Sequence, residues 1–535
     1  MAGTRHLSAN QDEELRAGAR DLSANQDEEF RAAARSVAEW VADYRERVEE
    51  MPVLARVAPG ELSALLPPSA PERGGPLDDV LHDLDRLVLP GITHWNHPGF
   101  LAYFSSSSSA PGLLAEFVIA ALGVNAMLWR TSPAATELEL RMVDWLRRLV
   151  GLPDGFEGVI LDTASTSSFT ALLAAREAAG LEVRERGLAG RPDLPSLTVY
   201  VSEQAHSSLE KAAIAAGLGQ RGVRKIPTDD SYRMNVEALR RRISADVEAG
   251  TRPIMVCATI GTTSTTSVDP VAAIADVCEA MNVWLHVDAA YAGPAAMLPE
   301  ERRHFVGWER ADSIVINPHK WMATPMDCST LLFRDRGAFR ASLALTPEYL
   351  SSDTQGVVNL MDYGLPLGRR FRALKLWFLF RQLGAEALRE MLRRHLRLAG
   401  EFAGWIRADR RFQLAAPVPF GTVCFRANAP GAEPKPPGTK PEPPGTKPEG
   451  TKPEPAGADP GTNPAAMYAW NRELLARVNR RGPVFLSHTV LDDRYTLRLS
   501  VGSVHTGERH VRNAYALLCE EYDGLVREGW PARDR

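Results

Sequence analysis

Residues 312–321 read Asp312-Ser313-Ile314-Val315-Ile316-Asn317-Pro318-His319-Lys320-Trp321. The apolar run Ile314 to Ile316 has strand character and ends in Asn-Pro, and the next polar pair is His319-Lys320. Desolvation at the lip of a buried strand disfavours the charged form of a lysine and lowers its pKa. The neutral amine so produced is the form that condenses with a carbonyl. Alone, Lys320 reads as a surface lysine following a strand. Its surroundings say otherwise. Upstream stands His286-Val287-Asp288-Ala289-Ala290-Tyr291-Ala292-Gly293, where a second strand, Val283 to Val287, carries a carboxylate at its C-terminal end.

A carboxylate and a lysine presented by strand ends of one sheet are the pair that pyridoxal phosphate requires. The lysine forms a Schiff base, and the acid keeps the pyridine nitrogen protonated so that the ring works as an electron sink. The stretches NPHKW, HVDAAYAG, DTASTSS and QAHSSLEKA, in this order and spacing, resemble the group II pyridoxal-phosphate decarboxylases, and the aromatic L-amino-acid decarboxylase type in particular. The resemblance runs from about Phe30 to about Val511 and is interrupted by one low-complexity insert.

The resemblance implies an α/β, fold-type I architecture: a central, mostly parallel sheet with helices on both faces, an N-terminal helical segment and a small C-terminal α+β domain. The expected division is 1–104 for the N-terminal segment, 105–380 for the large cofactor-binding domain and 381–535 for the small domain. It implies decarboxylation of an L-amino acid to the amine and carbon dioxide in a homodimer whose active sites lie at the subunit interface. Lys320, Asp288, His206 and Tyr349 match the catalytic positions. Ala164 and Ser165 match phosphate contacts, joined by Asn317 and His319. Thr259 and Ala290 complete the cofactor set, and His206 stacks on the cofactor ring. Trp95, Tyr103 and Phe104 line the substrate's side-chain pocket, with Asn125, Met127 and Gly368 as further substrate positions. A tyrosine at position 349 implies protonation of the substrate carbon after carbon dioxide leaves, whereas relatives with phenylalanine there make aldehydes with oxygen.

The residues support this frame independently. From Glu157 to Lys375, strand-like and helix-like segments alternate, the signature of a largely parallel sheet covered by helices. Gly158 to Asp162 is a strand, Thr163 to Thr166 a turn, and Ser167 to Gly180 an Ala- and Leu-rich helix. Small hydroxyl residues at a helix start suit a phosphate, although an ordinary Ser/Thr cap has the same pattern. Further strands are expected at Thr198–Ser202, Ile254–Thr259, Phe412 to Phe425 and Arg494–Val501, and helices at Met467–Arg480 and Glu508–Arg527. Residues 345–356 are polar and bear Gly and Pro, as a mobile loop would.

At 535 residues the chain is long enough for more than one domain. A net charge of −5 with 24% charged residues implies no nucleic-acid partner. The five scattered cysteines, without a CxxC, point to free thiols in a reducing, cytoplasmic setting. The most apolar window, Phe117 to Trp129, suits a core helix better than a membrane span. His94 and His97 lack further ligands for a metal site. Leu7 onward is nearly repeated from Leu22, and the second copy leads into a helix with apolar positions Phe30, Val37, Val41, Tyr44 and Val48, ended by Pro52. Residues 429–464 repeat Pro-Pro-Gly-Thr-Lys-Pro-Glu imperfectly and have the composition of a disordered insert.

Three other readings share these residues. One is a decarboxylase for an acidic or short side chain, to which Asn125, Met127 and Ser105 point as departures from the aromatic type. No Arg or Gln in the Trp95–Ser109 segment offers to grip a second carboxylate. The others are an aminotransferase and an inactive dimeric scaffold that uses the Pro-rich insert for interactions.

Overall fold

The computed structural model describes residues 27–345, 356–430 and 463–529. Tyr349, the first copy of the N-terminal repeat and most of the Pro-rich insert lie outside these residues.

Twelve strands among the described residues form two sheets. In chain order they are β1 (Phe100–Leu101), β2 (Glu157–Leu161), β3 (Leu197–Ser202), β4 (Val223–Ile226), β5 (Arg252–Thr259), β6 (Trp284–Asp288), β7 (Ser313–Ile316), β8 (Ser329–Phe333), β9 (Phe412–Leu414), β10 (Thr422–Ala427), β11 (Phe485–Leu491) and β12 (Arg494–Ser500). The larger sheet has the order β2-β8-β7-β6-β5-β3-β4 and is parallel except for β8, which runs antiparallel to β2 and β7. Its central strands are buried on both faces, so they are continuous apolar runs rather than alternating ones. In such a sheet the strand C-termini open onto the ligand crevice. Here the register sets Thr259 beside Asp288, and Asp288 beside Val315.

His286 is a polar residue at the centre of this sheet. Its Nε2 lies 3.2 Å from Ser168 Oγ and its Nδ1 2.9 Å from Ser313 Oγ. Burial pushes the ring down to about 4, so it is neutral and serves to fasten the Ala164–Ala178 helix to β6 and β7. That helix begins three residues earlier than the expected Ser167, which takes Ala164 and Ser165 into its first turn.

The smaller sheet has the order β1-β11-β12-β10-β9, with β1 parallel to β11 and the other pairs antiparallel. The helices Gly384–Ala408, Pro464–Arg481 and Glu508–Arg527 cover it, burying Phe402, Trp470, Leu497 and Leu518 in one core. Phe100-Leu101 pairs with Phe485-Leu486, so the small sheet takes its edge strand from the segment over 1–104. One expectation needs correction. Phe412 to Phe425 is two strands, because Pro417 and Pro419 lack the N–H groups a continuous strand needs.

The Asp27–Arg47 helix leaves Phe30 and Val37 exposed while Val48, just beyond it, is buried. Tyr44 bonds His94 Nδ1 at 3.0 Å, and His97 accepts from Gly99 N at 2.8 Å through Nδ1 while Nε2 donates to Glu49 O at 3.2 Å. His94 thus anchors this helix, and His97 the Val48–Glu50 turn that follows it. Among the described residues no helix is long and apolar enough to cross a membrane.

Candidate active site

Lys320 sits in the short Pro318–Trp321 helix that follows β7, its N–H bonded to Asn317 O at 3.0 Å. Burial pushes its pKa below the ordinary lysine value; Arg498 adds to this and Asp288 opposes it. The amine is therefore poised toward its neutral, nucleophilic form. Asp288 ends β6 almost fully buried, with Oδ1 accepting from Ala290 N at 3.0 Å. Ala290 O in turn accepts from Asn317 N at 3.1 Å, so the backbone of Ala290 fixes both the carboxylate and the turn that carries the lysine.

The polar groups around Lys320 are only partly satisfied. Asn317 Oδ1, Thr259 Oγ1 and Arg498 Nη2 are buried without a hydrogen-bond partner among the described residues. Unsatisfied buried polar atoms are costly and call for a ligand. His319 Nδ1 accepts from Cys328 N at 2.9 Å, its Nε2 lies 3.3 Å from the Asn317 amide, and burial holds the ring at about 4 and hence neutral. The first turn of the Ala164–Ala178 helix has no side-chain cap, which leaves its amides free for an anion. This donor set fits a phosphorylated pyridine aldehyde: amides, Asn317 and His319 for the phosphate, Asp288 for a ring N–H, Thr259 for a ring oxygen and Lys320 for the aldehyde.

His206 precedes the Ser208–Ala215 helix, and its Nδ1 accepts from Ser208 N at 3.2 Å. The neutral ring consequently carries its proton on Nε2. Burial of the ring lowers its pKa, Asp288 counteracts this, and Lys320 and Lys211 reinforce it.

Of the three aromatic residues expected to line the substrate pocket, Phe104 stands nearest the lysine, with Lys320 Nζ 5.4 Å from its ring centroid. Phe104 stacks on Tyr291 at 3.8 Å, and Tyr291 stacks on Trp321 at 4.8 Å. Trp95 and Tyr103 stack on one another at 5.9 Å on an exposed face. Asn125, Met127 and Gly368 form a separate group. Asn125 Oδ1 accepts from Arg369 N at 2.9 Å, its Nδ2 is 3.5 Å from Met127 Sδ, and a Cβ on Gly368 would stand 3.7 Å from that amide. No hydrogen bond or ring contact among the described residues joins this group to Lys320.

Sequence reasoning missed Arg498. Its guanidinium lies 4.7 Å from the Phe104 centroid, with Nε donating to Ser264 O at 3.0 Å and Nη1 to Tyr103 O at 3.0 Å. It is 4% exposed and has no carboxylate partner among the described residues. The signal was present: Arg494, Thr496, Arg498 and Ser500 alternate with Tyr495, Leu497 and Leu499 along β12. That polar face reads as solvent-facing, yet Thr496, Arg498 and Ser500 are buried.

Comparison with known proteins agrees with this chemistry. Residues 59–428 match the family model described as the pyridoxal-dependent decarboxylase conserved domain. The chain is 39% identical over 503 residues to the phenylacetaldehyde synthase of Arabidopsis thaliana, covering 92% of this chain and 95% of that protein. It is 38% identical to tyrosine decarboxylase 2 of Narcissus pseudonarcissus, covering 91% and 92%. The crystal structure of Oryza sativa TDC with PLP and tryptamine superposes with a TM-score of 0.86 at 37% identity, covering 95% of this chain and all of that one. A lysine pushed toward neutrality, a buried strand-end carboxylate and a helix start without a side-chain cap therefore stand in a chain that belongs to the pyridoxal-dependent decarboxylase family.

Proposed function

We propose that this chain removes the α-carboxylate of an aromatic L-amino acid as carbon dioxide and releases the amine, acting as a cytoplasmic homodimer. The observation that supports this best is the pairing of an aromatic wall beside Lys320 with a guanidinium that has no carboxylate partner among the described residues and one unpaired nitrogen, Nη2. Phe104, backed by Tyr291 and Trp321, offers a flat apolar face. Arg498 offers a grip for one carboxylate, which an aromatic amino acid has and an acidic one exceeds.

When bound, pyridoxal phosphate supplies the electron sink for the pair left at Cα. The protein's part is to bind, aim and protonate. Arg498 holds the substrate carboxylate, and Phe104 holds the side chain. Together they fix the direction of the bond to be broken. Lys320 would hold the cofactor, and Asp288 would keep its ring nitrogen protonated. Tyr349, outside the described residues, delivers the proton to Cα, with His206 Nε2–H as the nearby second donor.

The homodimer is supported by the large apolar side chains left exposed on the single chain, among them Tyr103, Phe117 and Leu365 at 52%, 57% and 69%. It would also bring Asn125, Met127 and Gly368 of one copy toward the site of another. Four of the five cysteines are buried and all are free, in keeping with a reducing compartment.

The likeness to a phenylacetaldehyde synthase raises a second reading, oxidative formation of the aldehyde. The tyrosine at position 349 favours the amine. The test is a product assay on cofactor-loaded protein with L-Trp, L-Dopa, L-Tyr, L-Phe, L-Glu and L-Asp, following carbon dioxide, amine, aldehyde and peroxide. Amine from the aromatic members is expected. Turnover of L-Glu or L-Asp alone would discard the Phe104 wall, and aldehyde with peroxide would discard the role of Tyr349.

A further inference from the structure

Asp269 is buried at 1% exposure and lies away from the reacting groups, yet it organises the route to them. Its Oδ2 accepts from Thr259 N at 2.8 Å and its Oδ1 from Met234 N at 2.7 Å, while its own N–H donates to Thr259 O at 2.9 Å. The two bonds to Thr259 close the base of a hairpin that leaves the end of β5 and returns at residue 269, with Ile260 bridged to Val268, and the third ties that base to the loop carrying Met234. Gly261 turns it at a φ of +89°, where a Cβ would stand 2.7 Å from Ala292 Cβ. Inside the hairpin the hydroxyls bond one another: Thr262 to Thr265 at 3.0 Å and Thr265 to Ser267 at 2.8 Å. Ser267 Oγ reaches Ser231 O at 2.7 Å, which ties the hairpin to the loop carrying Met234.

The two ends of this unit each carry a group tied to the site described above. At the base, Thr259 projects the unpaired buried Oγ1. At the tip, Ser264 O is the acceptor for Arg498 Nε at 3.0 Å, and Ser264 Oγ lies 2.9 Å from Thr489 Oγ1 of β11. We propose that Asp269 is a positioning residue for decarboxylation, locking the base of the 259–269 hairpin so that Thr259 keeps its aim at the cofactor and Arg498 its aim at the substrate carboxylate.

No cation pairs with Asp269 among the described residues, since Arg233 is taken by Asp229 at 2.7 Å. Burial pushes its carboxyl up to about 6, so at neutral pH the fold holds an unpaired buried charge. An asparagine there accepts one N–H but turns an NH2 group toward the other donor, which frees either Thr259 or Met234.

The inference rests on the reading of Arg498 given above, and the test separates the two. Asp269→Asn, Arg498→Lys and the double variant are compared in the full-length, cofactor-loaded enzyme. Readouts are kcat and KM for the preferred aromatic substrate, the inhibition constant of its product amine and the cofactor affinity of the apoprotein. The expected result is a loss of about 10²-fold in kcat/KM for Asp269→Asn, weighted toward KM. The amine, having no carboxylate, binds as before. At saturating pyridoxal phosphate, which removes any effect through Thr259, the double variant is no worse than Arg498→Lys alone, because both then act on one grip. An Asp269→Asn enzyme within twofold of wild type, or losses that simply multiply, would overturn the proposal. Full activity in Arg498→Lys would sink the Arg498 reading alone, and Asp269 would then be decided by whether Asp269→Asn weakens cofactor affinity through Thr259. If Asp269→Asn does not fold, Ser267→Ala replaces it, cutting the Ser231 tie. A smaller loss in the same direction supports the proposal, and an unchanged kcat/KM refutes it.

Discussion

The guanidinium of Arg498 lies 4.7 Å from the ring centroid of Phe104 with one nitrogen, Nη2, buried and unpaired. A cation against an aromatic face needs no carboxylate to be held in place, so it can be kept charged and still be available to a substrate. Replacing Arg498 by glutamine should lower kcat/KM by about 10²-fold, mostly through KM, as expected on losing a charge-assisted contact from Nη2. Binding of the product amine should change little. Steady-state kinetics with the amino acid, set against competitive inhibition by the amine, checks both halves.

Lys320→Ala should abolish turnover and cofactor retention without lowering Tm. The lysine's pKa is depressed by burial, so at neutral pH the folded state bears a cost for it that alanine does not. Thermal unfolding of the apoprotein, alongside the visible spectrum after incubation with pyridoxal phosphate, makes the measurement. A large fall in Tm would show that the side chain is a structural strut.

Acid should destabilise the protein before it reaches the carboxylate range. His286 and His319 are held at about 4 and His395 at about 3 by burial. The unfolded chain binds these protons from about 6.5 downward. Stability is therefore present above pH 6.5 and is lost as pH falls through the window toward 4. Asp269, its folded pKa raised to about 6, acts in the opposite direction, as do Glu301, Asp312 and Asp362, but burial also lowers His94, His97, His206, His304 and His505. Calorimetry should record a Tm lower by about 5 °C or more at pH 5 than at pH 7. An unchanged Tm would mean that these rings titrate normally.

Arg369→Met should be strongly destabilising, by about 3–5 kcal/mol, because it strands Glu139 at 1% exposure. In the native fold Arg369 Nη2 donates to Glu139 Oε1 at 2.7 Å and to Ile160 O at 2.8 Å. The double replacement Arg369→Met with Glu139→Leu should recover much of the loss. Urea unfolding of the three variants tests this, and a single variant as stable as wild type would contradict it.

Several of these groups were legible in the sequence because strand ends are marked by composition. Ile314–Ile316 ending at Asn317-Pro318, and Val283–Val287 ending at Asp288, place a lysine and an acid with no knowledge of the tertiary fold. The helix start at Ala164 was displaced by three residues because Ala-Ser-Thr reads as a turn until the free first-turn amides are seen. Arg498 and Asp269 were passed over for a different reason. An alternating strand does not say which face meets solvent, and a lone aspartate before Pro270 resembles any turn residue. Their meaning arises only when the small domain lays β12 against the hairpin from β5. The exposed stack of Trp95 on Tyr103 was likewise beyond reach, since one chain's sequence cannot separate a pocket wall from a subunit face.

The pairing of Phe100-Leu101 with Phe485-Leu486 has a consequence for how the molecule comes into being. The edge of the small sheet is made from residues separated by most of the polypeptide, a contact of very high order. During synthesis the large sheet can assemble from its own consecutive segments, while β1 must wait, unpaired and apolar, until the last strands emerge. Folding of this chain should therefore end, rather than begin, at its amino-terminal side.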